Sequence, residues 1–184
     1  MGLDISYTVD NDEKLFDFDY ITNEELHKKH DLSRTLASFM SRKNVINENE
    51  ETELTQISKL INIDLSKINI LDEIPSLDEL EEIMEFDTEY AESQKEEYEI
   101  QIKKIENNID DVSLILSELI SKLNDKEDLS KLLKPTSFDS LNNSSYFKKN
   151  NLDRDNFYKD LNNFNNFVDY AKSKGTKTIW FKYS

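Results

Sequence analysis

Acid–base or metal chemistry in this 184-residue chain has few side chains to draw on. His27 and His30 are its two histidines. Glu24, His27 and either His30 or Asp31 fall at helical i, i+3 and i+4 spacings, which is sterically enough for a small site with nitrogen and oxygen ligands. Two histidines three apart in a capped polar turn make no zinc motif, however, and no Ser has the surroundings of a histidine-activated nucleophile. There is no Cys, so thiolate chemistry and disulfides are excluded. The two glycines, Gly2 and Gly175, provide no phosphate-cradling loop. Paired carboxylates abound, yet they sit in helical surface runs rather than at strand ends beside apolar pockets, where a glycosidase would hold them. The expectation is a non-enzymatic protein with no metal and no cofactor.

Charge is the stronger signal. The formal net charge is −16 and the isoelectric point near 4.5, which argues against direct binding to nucleic acid or to an anionic membrane surface. Between Asp72 and Glu99 thirteen acids face the single base Lys95, whereas residues 120–184 hold twelve Lys and Arg against eight Asp and Glu. Such a polarised field steers a basic protein partner. Glu81, Glu82, Glu85, Glu89, Glu92 and Glu96 recur at spacings that place several carboxylates along one side of a helix. They are the candidate partner-binding residues, standing in for phosphates in a cationic groove. The competing explanation is a solvated outer face that serves solubility.

The element that must position these acids runs from Ser76 to Asn124 without a Gly or Pro. Ser76-Leu77-Asp78-Glu79 is a capping box directly after Pro75, and negative charge in the first turn suits a helix N-terminus. Leu77, Met84, Ala91, Tyr98, Ile105, Val112 and Leu119 form a heptad row. Asn107-Asn108 and Asp110-Asp111 are weak breakers that would allow a hairpin, but the apolar 3/4 spacing stays in phase across them and favours one long helical arm over 76–124. As a single helix it would span about 73 Å at about 1.5 Å per residue, more than a small core can cover. A homodimer is therefore expected, with Met84, Ala91, Tyr98, Ile102 and Ile105 as its seam.

The remaining elements surround that arm. Leu3, Ile5, Tyr7 and Val9 alternate with polar residues and predict an N-terminal strand. Leu15, Phe16, Phe18 and Tyr20 suggest a second strand or an aromatic loop. Thr22-Asn23-Glu24-Glu25 reads as a capping box for one bent helix or two short ones reaching Arg42, with Asp31 as a restart. A helix follows at about 50–62 with Leu54, Ile57, Leu60 and Ile61 inward, then a short one over Asp128–Lys134. Phe138, Leu141, Tyr146 and Phe147 anchor a loop over 136–151. Asp153 is expected to cap a last helix carrying Phe157, Leu161, Phe164, Val168 and Ala171, ended by Gly175 in a left-handed cap. Thr176–Tyr183 is a closing strand, paired with the first in a small sheet, and the aromatic residues from Phe157 to Tyr183 are core. The fold class is α+β, predominantly helical, in a single domain over 1–184. The first residues show no leader pattern and no run is long and apolar enough to span a membrane, so a cytoplasmic location is expected.

The opening Met1-Gly2-Leu3-Asp4-Ile5 with its alternating strand, the segment His30-Asp31-Leu32-Ser33-Arg34, and the closing Phe167-Val168-Asp169-Tyr170-Ala171-Lys172 helix before an aromatic strand resemble small uncharacterised phage and prophage proteins that begin Met-Gly-Leu/Ile-Asp. The likeness covers the two ends, and the acidic arm departs from it. It implies a phage accessory protein, for which inhibition of a host defence nuclease is a fitting role. A toxin-neutralising immunity protein, or an assembly protein that self-associates through the arm, would show the same features.

Overall fold

The computed structural model describes residues 4–40, 46–72, 88–136, 143–150 and 155–183. It is mostly helical with a small two-stranded antiparallel sheet, an α+β fold. Strand β1 (Ile5–Val9) pairs with β2 (Ile179–Tyr183) in the register Ile5 to Tyr183 and Val9 to Ile179, as the alternation at the two ends requires. Ile5, Tyr7 and Val9, with Ile179 and Phe181 opposite, face one side and meet the core. Tyr7 lies stacked on Phe167 at 3.7 Å between ring centroids, and Phe164 packs on Phe181 at 5.1 Å.

After β1 come four short helices: α1 (Asp12–Leu15), α2 (Phe18–Thr22), α3 (Glu24–His30) and α4 (Arg34–Met40). Helices therefore replace the second strand suggested by Leu15 to Tyr20. The reason is local: the Asp17 carboxylate caps α2 by accepting the Tyr20 N–H at 2.9 Å, and the Asp12 carboxylate, already within α1, reaches back to the Val9 N–H at 2.8 Å, which turns the chain before a strand can extend. Asn23, rather than Thr22, caps α3 by accepting from Glu25 and Leu26. Ser33 caps α4 through the Leu36 N–H, and Asp31 ends α3 without starting the next helix.

Helix α5 (Glu53–Ile61) is capped by Thr52 and closed by Asn62 in the left-handed region at φ 53°. It buries Leu54, Ile57 and Ile61, while Leu60 is half-buried. A short α6 (Ser66–Asn69) and a 3₁₀ turn (Ile70–Asp72) follow.

The long arm is not one helix in its described part. Helix α7 (Thr88–Ile105) and helix α8 (Ile109–Asn124) are separated by a turn at 106–108, which corrects the continuous reading. Asn107 takes φ 56°, a left-handed conformation that Asn tolerates better than most residues. Tertiary bonds then hold the break. The Asn107 N–H donates to Thr178 Oγ1 at 3.1 Å and the Ile109 N–H to the Lys177 carbonyl at 3.1 Å. The Asn108 side chain donates to the Ile179 carbonyl at 2.8 Å and accepts the Ile179 N–H at 2.9 Å. The apolar spacing stays in phase across the break, and Ile105, Ile109 and Val112 are all buried. Residues 73–87, with the Ser76 cap and the first heptad of the arm, lie outside the described residues.

Beyond α8, the turn at Leu129–Lys131 is 3₁₀ and capped by Asp128, and α9 (Asn143–Tyr146) precedes the central helix α10 (Phe157–Ser173). Asn156 caps α10 through the N–H groups of Tyr158 and Lys159, while Asp153 lies outside the described residues, as do Phe138 and Leu141. At its C-terminus Gly175 has φ 86°, and the Thr176 N–H returns to the Ala171 carbonyl at 3.1 Å. Helix α10 buries Phe157, Leu161, Phe164, Phe167, Val168 and Ala171 against α8, α3 and the sheet. Asp160 is 2% exposed on the same face. Its carboxylate accepts from the Ser33 N–H at 3.0 Å, the Ser33 hydroxyl at 2.6 Å and the Tyr146 hydroxyl at 2.7 Å, so one buried charge ties α4, α9 and α10 together.

Asn108→Ala removes both partners of the Ile179 peptide and leaves a buried donor and acceptor unpaired. The expected cost is about 2–3 kcal/mol in urea-unfolding free energy. A midpoint equal to the parent's would show that the joint does not depend on this pair.

Candidate functional site

Two places on the described surface merit a chemical reading: the outer side of α7 and a cavity between β1 and α1–α3.

Along α7 the inward residues are Gln94, Tyr98, Gln101, Ile102 and Ile105, at 3/4 spacing, with Ile105 1% exposed and the others half-buried. Glu92, Glu96 and Glu99, at i, i+4 and i+7, therefore project on the opposite side with Lys103, and all four are exposed. None of the three carboxylates forms an ion pair with a described residue, in contrast to α8, whose first-turn Asp110 pairs with Lys172 at 2.7 Å and whose Asp111 pairs with Lys67. Of the acids singled out by spacing, Glu92 and Glu96 are thus placed outward. Glu89 falls on the same helix, and Glu81, Glu82 and Glu85 lie outside the described residues. Of the seam residues, Ile105 is buried within its own chain, Tyr98 and Ile102 are partly covered by it, Ala91 lies on α7, and Met84 lies outside the described residues.

The cavity, of about 310 Å³, is lined by Tyr7 of β1, Phe16, Tyr20 and Ile21 of the α1–α2 segment, and His27, His30 and Asp31 of α3 and its end. Helix α3 presents His30 inward because the Asn23 cap sets its phase, and His30 is 5% exposed. Burial pushes the His30 imidazole down to about 4, with the positive fields of His27 and Lys29 acting in the same direction, so the ring is neutral at pH 7. The Tyr20 hydroxyl and His30 Nδ1 are 3.2 Å apart. Whether the hydroxyl donates to Nδ1 or accepts from it follows the tautomer of the neutral imidazole. Tyr20 is itself raised to about 12, first by burial and then by the neighbouring Tyr170 and Asp31. Burial also pushes the Tyr7 hydroxyl well above its ordinary value, with Asp160 and Asp31 among the charges that add to it. On the outside of α3, His27 Nε2 donates to the Ile21 carbonyl at 3.2 Å.

Of the residues considered for a metal, Glu24 is exposed, His27 is held on a carbonyl and His30 is held by a phenol. No group of three or more His, Asp or Glu able to hold a metal ion forms among the described residues. The Tyr20–His30 pair is also a poor acid–base couple, because burial moves each group away from neutral pH, the phenol upward and the imidazole downward. The cavity was hidden from the sequence because its walls come from separate short elements. The alternation that placed Tyr7 and the caps that placed His30 were its only traces. No helix among the described residues is long and apolar enough to cross a membrane. Comparison with family models, with curated proteins and with solved structures returned no match for this chain.

The His30 shift fixes a sign. A histidine that is harder to protonate when folded binds fewer protons than the unfolded chain, so stability falls as pH drops from about 6.5 toward about 4. Asp160 acts the other way. Burial raises its carboxyl despite the bonds from Ser33 and Tyr146, so it lends relative stability as acid protonates it. The His30 share is isolated by substitution: the parent should lose about 2–3 kcal/mol more than His30→Gln over that pH window, read from urea unfolding at each pH. Parallel pH profiles would place the imidazole in water.

Proposed function

We propose that this chain is a non-enzymatic acidic interaction protein that binds a basic protein and inhibits it by occupying a cationic surface. The observation that carries the reading is the outward row Glu92, Glu96 and Glu99 on α7, without an ion pair to any described residue and continuous in sequence with the acids that begin at Asp72. Carboxylates left without partners on one side of a helix raise the local potential and increase encounter rates with a positively charged surface. If the basic partner is a nuclease, the acids occupy the positions of phosphates. A phage-encoded inhibitor of a host defence nuclease and a toxin-neutralising immunity protein are the two settings that match this chemistry.

The test uses tagged parent and a Glu92→Lys, Glu96→Lys, Glu99→Lys variant in parallel co-purifications from the native host, followed by association kinetics with the protein identified. The three substitutions are exposed and should each change stability by no more than about 0.5 kcal/mol. Association with the parent should slow steeply with added salt, as charges are screened over about 8 Å at physiological ionic strength, and the variant should associate about tenfold or more slowly. Equal, salt-independent rates for both would reduce α7 to a solubility feature.

Self-association is a second reading, favoured by Ile100 on α7 and Leu114 on α8, which stand 51% and 67% exposed. We propose a homodimer formed along these helices. Light scattering at micromolar concentration should then give twice the 21.7 kDa chain mass, and a value of 21.7 kDa itself removes the dimer.

A further inference from the structure

The cavity beside α3 is unusual in combining aromatic walls with a carboxylate that the fold leaves unused. Asp31 is exposed, and its side chain makes no hydrogen bond and no ion pair with a described residue, although its neighbours on the same surface do: Glu25 pairs with Lys28 and Asp17 with Lys174. Asp31 lines the cavity together with Tyr7 and Tyr20. The opposite flank is apolar. Helix α2 turns Tyr20 inward and leaves Phe18 and Ile21, three residues apart, 78% and 62% exposed. Ile21 lines the cavity and Phe18 stands one helical turn before it; exposed apolar side chains of this kind are what a protein partner covers, and a small ion would leave them in water.

We propose that this cavity receives an arginine side chain of a basic protein partner, its guanidinium lying against the Phe16 and Tyr20 rings and pairing with the Asp31 carboxylate, its methylene stem crossing Ile21. The proposal rests on the reading of the chain as a binder of basic proteins and adds a second contact, on a different element from α7. Arginine suits the site better than lysine because its planar group stacks on aromatic faces and forks onto a carboxylate. Charge agrees: residues 12–31 carry seven acids against three lysines, and the neutral His30 puts no positive charge in the cavity. Size agrees as well, since about 310 Å³ is at the small end of ligand sites and suits one side chain rather than a cofactor.

The test needs no knowledge of the partner. The blocked tripeptide Ac-Leu-Arg-Leu-NH2 is titrated into the full chain and followed by NMR at the Tyr20 and His30 ring resonances, beside its lysine and citrulline counterparts and free agmatine. The expected order is arginine, then lysine, then citrulline, which keeps the shape and loses the charge. Asp31→Asn should weaken the arginine peptide about fivefold and leave the citrulline peptide unchanged. Phe18→Ala, also fully exposed, should weaken both peptides and spare agmatine. Citrulline binding as well as arginine, agmatine binding as well as the peptide, or shifts confined to other residues would each overturn the proposal. Because α7 takes no part in these titrations, their failure beside intact salt-dependent association rejects the cavity alone, and success beside salt-independent association rejects the α7 row alone.

Discussion

A two-stranded sheet has two open edges and, by itself, marginal stability, so the pairing of β1 with β2 survives only because other elements complete it. Asn108 does this most directly. Its carboxamide meets the Ile179 N–H and carbonyl as a neighbouring strand would, and the adjoining Asn107 and Ile109 amides bond to Thr178 and Lys177. The same contact stops α7, starts α8 and anchors the edge of β2. Because Ile179 and Phe181 then face Phe164 and the rest of α10, the central helix is positioned by a sheet that a single asparagine holds in place. The arrangement is economical in secondary structure and demanding in hydrogen-bond geometry, since residues 107–109 at the joint must meet residues 177–179 at the start of β2.

What the sequence showed and what it hid divide along the same line. Alternation in Ile5 to Val9 and in the β-branched and aromatic run at Ile179 to Phe181 was local and readable, as were the 3/4 face of Phe157 to Ala171 and the left-handed stop at Gly175. The break at 106–108 was not readable, because Asn107 and Asn108 are weak breakers by propensity and become decisive only when residues 177–179 arrive from far along the chain. The segment Leu15 to Tyr20 was misjudged for a nearer cause: apolar content suggested a strand or an aromatic loop, while Asp17 supplied a cap and Asp12 a turn-forming bond to Val9 that reward helical turns. The outward placement of Glu92 and Glu96 could be read from spacing alone. The cavity could not, since Tyr7, Tyr20 and His30 share no period and meet only in the folded state.

Among the described residues, several buried polar side chains are put to structural use. Asp160, Asn108, Asn156 and Asn163 are buried and each satisfies backbone of another segment, with Asn163 donating to the Asp31 carbonyl at 2.7 Å and Asn156 to the Lys148 carbonyl. Carboxamides suit this work because they offer donor and acceptor together and carry no charge to desolvate. Asp160 is the costly exception, and it is offset by three donors from two residues. The lysines show a parallel economy: Lys67 and Lys172 are committed to the first turn of α8, where acids already favour the helix N-terminus, and among the described lysines none is committed to Glu92, Glu96 or Glu99 of α7. The charge polarity seen along the chain is thus also a polarity of pairing.

The antiparallel register puts Ile5 directly across from Tyr183. In such a pair the two backbones run about 5 Å apart, so polypeptide joined before β1 and polypeptide joined after β2 leave the fold side by side. The fold is in this sense a loop on a string. It can be spliced into a host domain at a surface turn, or cut and rejoined at an exposed turn such as residues 47–49 ahead of α5, with the strand pairing serving as the seam in either case.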